Sequence, residues 1–170
     1  MDEAKRIDYK PSILAQSLRT NKTYTIGLLI PSIDNPYFAT IASEIVFEAK
    51  RYGYTVILLD TLEDEGNESE CINTQLTRSI DGIILVPCGE RPENLEKIDE
   101  QTPIVLIDRY FEDTSLSYIC TDNYRGALVG VKLLIENGHK EILCIRGVPH
   151  SMTSKERVKG YIDALRESGF

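Results

Sequence analysis

The sequence predicts an α/β fold, a parallel sheet with helices on both faces. Three observations lead there. Short continuous apolar runs rich in β-formers recur along the chain, as strands covered on both faces require. Stretches with apolar residues at helical spacing separate them. The two kinds alternate at intervals of roughly 25–30 residues, and such alternation builds parallel strands joined by crossover helices.

Residues 24–30 (YTIGLLI) are the first expected strand, ended by Pro31. Residues 36–52 read as a helix. Ile41, Ile45, Ala49 and Tyr52 fall at helical spacing, Pro36 suits the first turn and Gly53 suits a C-terminal cap. TVILL (55–59) is a second buried strand, and 66–79 is a polar helix marked by Cys71, Ile72 and Leu76, with Ile80 just beyond. After Asp81-Gly82, IILV (83–86) is a third strand. Residues 91–100 form a short amphipathic helix, PIVLI (103–107) a fourth strand and SYICT (117–121) a shorter fifth. Residues 123–137 are a helix stopped at Gly138. EILCI (141–145) is a sixth strand, and 154–168 is a last helix with Gly169 behind it.

The chain has 170 residues, 42% hydrophobic and 27% charged. That suits one globular domain able to bury a core without staples, and excludes disordered, collagen-like and low-complexity classes. The 4 cysteines show no CxxC and no metal-ligand spacing, which fits a reduced, cytoplasmic protein. The start, MDEAKRIDYK, lacks the apolar stretch of a leader, and no apolar run is long enough to span a membrane. The net charge of −8 should repel nucleic acid. It is unevenly spread. Residues 1–22 hold five bases against three acids, a net +2, which leaves −10 for the rest. A basic arm and an acidic body suggest separate jobs, against the plainer reading of a solvated tail.

Ligands in parallel α/β folds bind at the carboxyl ends of the strands. Those ends are PSIDNPYF (31–38), DTLED (60–64), PCGER (87–91), DRYFED (108–113), TDN (121–123) and RGVPHS (146–151). Enzyme signatures are missing: no GxGxxG, P-loop, GxSxG or HExxH. No paired acids follow the first strand to hold Mg²⁺, although Asp60, Asp108 and Asp122 sit at strand ends. His139 reads as a surface or capping residue, and His150 as a loop residue able to touch a ligand. Cys144 reads as a small core residue. Cys88 and Cys120 lie nearer the ligand edge, without a visible activating base. No catalytic residue, metal or cofactor is expected.

Three stretches carry a family resemblance. The first is Tyr9-Lys10-Pro11-Ser12, then Ala15 and Leu18, running into Ile26-Gly27. The second is Ile30-Pro31 and Asn35-Pro36-Tyr37-Phe38, closed by Gly53-Tyr54. The third is distributed: Asp81-Gly82-Ile83-Ile84, Pro103-Ile104-Val105 to Asp108-Arg109, Asp122-Asn123, Gly126-Ala127, Gly138-His139, and Arg157 with Gly160-Tyr161. In this order and spacing the chain resembles the LacI/GalR family of bacterial transcription regulators. Ser12 stands where the family usually has Asn, and Gln16 where it often has Arg.

The resemblance implies a periplasmic-binding-protein-like (type I) sensor. Residues 1–22 would be the end of a helix-turn-helix and a hinge, 23–121 most of the first sensor lobe, and 122–170 the beginning of a second. The chain then reads as a fragment. It also implies a homodimer whose hinge helices enter the minor groove of an operator. Leu18 would be the apolar wedge, with Leu14 on the same face. Lys10, Ser12 and Arg19 complete the DNA-facing set, the cations giving salt-dependent affinity. A small-molecule effector, sugar-like above all, would bind between lobes against Tyr37, Phe38, Asp108, Thr153 and Arg157 and alter operator affinity. Rings stack on ligand faces, carboxylates accept from hydroxyls and a guanidinium makes forked contacts. Phe38 could equally be core, and Arg109 an interlobe or surface pair. Two other readings share the fold pattern. One is a periplasmic-type sugar-binding protein, disfavoured by the leaderless start and basic hinge. The other is a receiver or flavodoxin-like protein, disfavoured by the missing phosphate and metal motifs.

Overall fold

A computed structural model describes residues 22–89, 95–147 and 151–170. Its sheet has five strands: β1 (Thr25–Ile30), β2 (Thr55–Asp60), β3 (Gly82–Leu85), β4 (Ile104–Ile107) and β5 (Ser117–Ile119). They lie in the order β2-β1-β3-β4-β5, every pair parallel. The helices are α1 (Pro36–Arg51), α2 (Glu65–Thr77), α3 (Leu95–Asp99), α4 (Asn123–Glu136) and α5 (Met152–Glu167).

Successive strand residues point to opposite faces, and both faces are covered. Leu29, Ile83, Leu85, Ile104 and Leu106 pack with Ile72 and Ile80 on one side. Leu28, Ile30 and Val86 pack with Phe38 and Ala42 of α1 on the other. The apolar runs of β1, β3 and β4 thus needed two helical layers, as their lack of alternation implied.

The element boundaries differ from expectation in ways the structure explains. Tyr24 adopts a left-handed φ of 51° while its carbonyl accepts from the Thr55 amide, so the first strand starts at Thr25. The second strand, expected to be buried on both faces, is an edge strand of intermediate exposure. Of the helix expected over 91–100, only Leu95–Asp99 is α3, and residues 90–94 lie outside the described residues.

The sixth strand is absent. Residues 141–147 form no ladder, and Leu143 and Ile145 are 86% and 90% exposed. Cys144 is correspondingly half-exposed, not core. A strand exists only through a paired neighbour, and among the described residues none lies beside this run. It is tethered by Tyr161, whose hydroxyl donates to the Ile142 carbonyl at 2.7 Å. Helices α4 and α5 pack tightly against each other at Gly160, where an added Cβ would lie 2.3 Å from the Tyr124 carbonyl. The absence of a side chain sets this close approach.

Candidate functional site

The carboxyl edge of the sheet and the start of α5 enclose a cleft of about 1290 Å³. Tyr37, Phe38, Asp108, Thr153 and Arg157, the five residues named for effector binding, all line it. Pro36 opens α1, and Asn35 caps it by accepting from the Tyr37 amide at 3.0 Å. This places Tyr37 and Phe38 in the first turn at the rim.

The Tyr37 hydroxyl donates to Asp108 Oδ1 at 2.8 Å. Burial, followed by this bond, raises the Tyr37 pKa. Asp108 ends β4 with φ 63°, a left-handed conformation costly for a residue with a Cβ. Its amide donates to the Ile119 carbonyl at 2.9 Å, so β5 holds the turn. The turn points an acceptor into the cleft.

Phe38 plays both expected parts: it is 3% exposed in the core and lines the cleft. Arg109 lies over its ring at 5.8 Å. The Arg109 fork holds both oxygens of Glu63 at 2.8 Å, and this bond keeps the Glu63 carboxyl below its ordinary range. Arg109 is therefore a wall strut bridging the ends of β2 and β4.

At the facing wall, Thr153 is buried and its hydroxyl pairs with that of Ser151 at 2.6 Å. The Arg157 Nε donates to Asn123 Oδ1 at 2.8 Å, and Asn123 in turn donates to the Thr121 carbonyl at 3.0 Å. The Tyr110 hydroxyl donates to Glu156 Oε1 at 2.7 Å while its ring stacks on Tyr118 at 4.5 Å.

Sequence reasoning missed Glu63, Tyr110, Asn123 and Glu68. The first three stand in or beside the strand-end loops that the topology marks as a ligand edge, which was the one available signal. Glu68 had none: a polar helix residue, it is 2% exposed and accepts from the Cys88 amide at 2.7 Å. Burial raises the Glu68 pKa and pushes the Cys88 thiol up to about 12. Cys88 is thus protonated at neutral pH and a poor nucleophile. Among the described residues no group of three or more His, Cys, Asp or Glu could hold a metal ion. His139 is exposed and its amide donates to the Leu134 carbonyl at the end of α4. His150 and the hinge residues Lys10, Ser12, Leu14, Leu18 and Arg19 lie outside the described residues.

A rim ring, a largely buried carboxylate acceptor at the cleft wall and a tethered guanidinium suit reversible binding of a small polar molecule. A family profile described as periplasmic binding proteins and sugar binding domain of LacI family matches residues 23–170. The chain belongs to that family. It is 34% identical over 161 residues to the NTD biosynthesis operon regulator NtdR of Bacillus subtilis, covering 95% of this chain and 49% of the relative. It is 31% identical over 166 residues to the sucrose operon repressor of Klebsiella pneumoniae, covering 98% and 50%. A periplasmic binding protein/LacI transcriptional regulator from Alkaliphilus metalliredigens, solved with D-xylulofuranose, matches with TM-score 0.77 and 31% identity. That match covers 85% of this chain and 53% of the solved one. The fold is that of the type I periplasmic-binding-protein-like sensors. This LacI-family chain spans about half the length of the curated relatives it matches. No helix among its described residues is long and apolar enough to cross a membrane.

Proposed function

We propose that this LacI-family chain is the sensing part of a DNA-binding transcription regulator. It takes a small sugar-like effector in the cleft and transmits its presence to an operator. The cleft carries the reading: the Tyr37–Asp108 pair faces Arg157 across a space of about 1290 Å³. Asp108 accepts from ligand hydroxyls, Tyr37 and Phe38 offer ring faces, and Thr153 and Arg157 hold the ligand from α5. Two curated relatives are named as operon regulators, and the solved xylulofuranose complex supports a sugar-like ligand.

In this reading residues 23–121 are most of a first lobe and 122–170 the opening of a second. Residues 1–22 are the end of a helix-turn-helix and a hinge. Lys10, Ser12, Leu14, Leu18 and Arg19 meet DNA, with Leu18 as the wedge. The regulator works as a cytoplasmic homodimer and makes or breaks no covalent bond. Ligand binding favours one lobe spacing and so shifts hinge geometry and operator affinity.

A thermal-shift screen of sugars on the intact regulator tests the sensor, since ligands of the folded state raise its melting point. Operator binding with and without each hit tests the coupling. A panel with no stabilising sugar, or hits that leave operator affinity unchanged, overturns the reading.

A further inference from the structure

The start of α5 is built unlike a closed helix end. Helices α1, α2 and α4 each have an Asn or Asp side chain accepting a first-turn amide: Asn35 from Tyr37, Asp64 from Asn67, Asp122 from Arg125. Ser151 at the same place on α5 makes no capping bond, its hydroxyl being engaged with that of Thr153. The end of a 16-residue helix thus faces the cleft with its amide dipoles uncapped.

A second observation is independent of the helix. Ser154 lines the same cleft, is 6% exposed, and its buried Oγ has no hydrogen-bond partner. A buried hydroxyl without a partner is costly, and a ligand acceptor removes that cost. Charge at the helix start itself is compatible: Lys155 and Arg157 stand on α5 beside the cleft and its first turn holds no acid, although Glu112 and Asp113 also line the cleft. Lys155 is only loosely engaged, 4.0 Å from exposed Glu112. Arg157 is oriented through its Nε by Asn123.

We propose that the N-terminus of α5 is a subsite for a phosphoryl group, so that the effector is a phosphorylated sugar. The proposal rests on the sensor reading and adds its ligand class. The two ends of the cleft then divide the work. Asp108 and Tyr37 take sugar hydroxyls. The α5 amides, the Ser154 hydroxyl and the Arg157 fork take phosphate oxygens, as helix N-termini and guanidinium forks commonly do.

Binding is measured on the full chain at fixed ionic strength with inorganic phosphate and with matched pairs: ribose and ribose 5-phosphate, glucose and glucose 6-phosphate. Inorganic phosphate should saturate and move the backbone amide resonances of Thr153 and Ser154. One phosphorylated sugar should bind at least about tenfold more tightly than its unphosphorylated partner, and Ser154→Ala should weaken phosphate about fivefold. The amide shifts decide the matter should the variant not fold. Sugars that bind as well without the phosphoryl group overturn the subsite while the sensor reading stands. Phosphate bound at these amides, with no gain from any attached sugar, keeps the subsite and counts against a sugar sensor. Phosphate probes that do not bind at all overturn the subsite.

Discussion

Tyr37 and Asp108 are 71 residues apart in sequence and joined by a hydrogen bond of 2.8 Å. The bond fastens the first turn of α1 to the end of β4. It also occupies one carboxylate oxygen, while the other lies 3.9 Å from the Arg109 Nε. Its geometry depends on Asp108 keeping φ 63°.

Tyr37→Phe removes the donor and keeps the ring. Tyr37 is about half exposed, so the fold should lose little. Effector affinity should fall about three- to tenfold, the worth of one polar contact. Calorimetric titration of the hit from the sugar screen checks this. Unchanged affinity would remove Tyr37 from the site.

Gly160→Ala places a Cβ 2.3 Å from the Tyr124 carbonyl and 3.0 Å from the Leu128 amide, both backbone. Overpacking of this kind costs about 1–3 kcal/mol. That corresponds to roughly 2–10 °C in melting temperature for a chain of this size. Gly126→Ala, in the facing helix α4, meets nothing within 4 Å and should be neutral or slightly stabilising. Calorimetry on the two variants separates crowding from helix propensity.

Glu68 carries a pH dependence of definite sign. Its folded pKa is raised, chiefly by burial. The unfolded chain therefore releases this proton first, and stability falls as pH rises from the ordinary carboxyl range through the folded value. Glu68→Gln keeps an acceptor for the Cys88 amide and cannot ionise. The variant should melt higher than the parent at pH 7.5, and the difference should shrink towards pH 4. A difference that does not vary with pH would rule out this linkage.

Arg109→Lys tests the strut. Lysine cannot reproduce the fork on both Glu63 oxygens. With Glu63 half exposed, the expected cost is only about 0.5–1 kcal/mol. The sign with pH is opposite to that of Glu68. The Glu63 pKa is lowered by the Arg109 bond, so its contribution is present above the ordinary carboxyl pKa and lost as pH falls through the folded one. Melting curves at pH 7 and pH 3 should show the parent's advantage shrink with acid.

Much of this was legible in the residues. Unbroken apolar runs demanded two covering layers, and Pro36 and Gly138 marked a helix start and a helix stop, Gly138 with φ 88°. The five effector candidates meet in one cleft because strand ends of a parallel sheet converge on one edge. The run 141–145 shows where pattern stops being enough. It has the composition of a strand, yet strand structure is a property of a pair.

The sequence by itself determined the α/β class, the element order and the edge on which the five candidate residues meet, because hydrophobic period and turn residues are local signals. Only the tertiary structure decided which strand lies at the edge and which partner each carboxylate finds. Glu63, Glu68 and Asp108 are all acids beside apolar residues in sequence or fold. One is forked by Arg109, one is sealed under Cys88, and one is offered to the cleft. Those fates follow from what the fold brings within about 3 Å, which residue type alone does not encode.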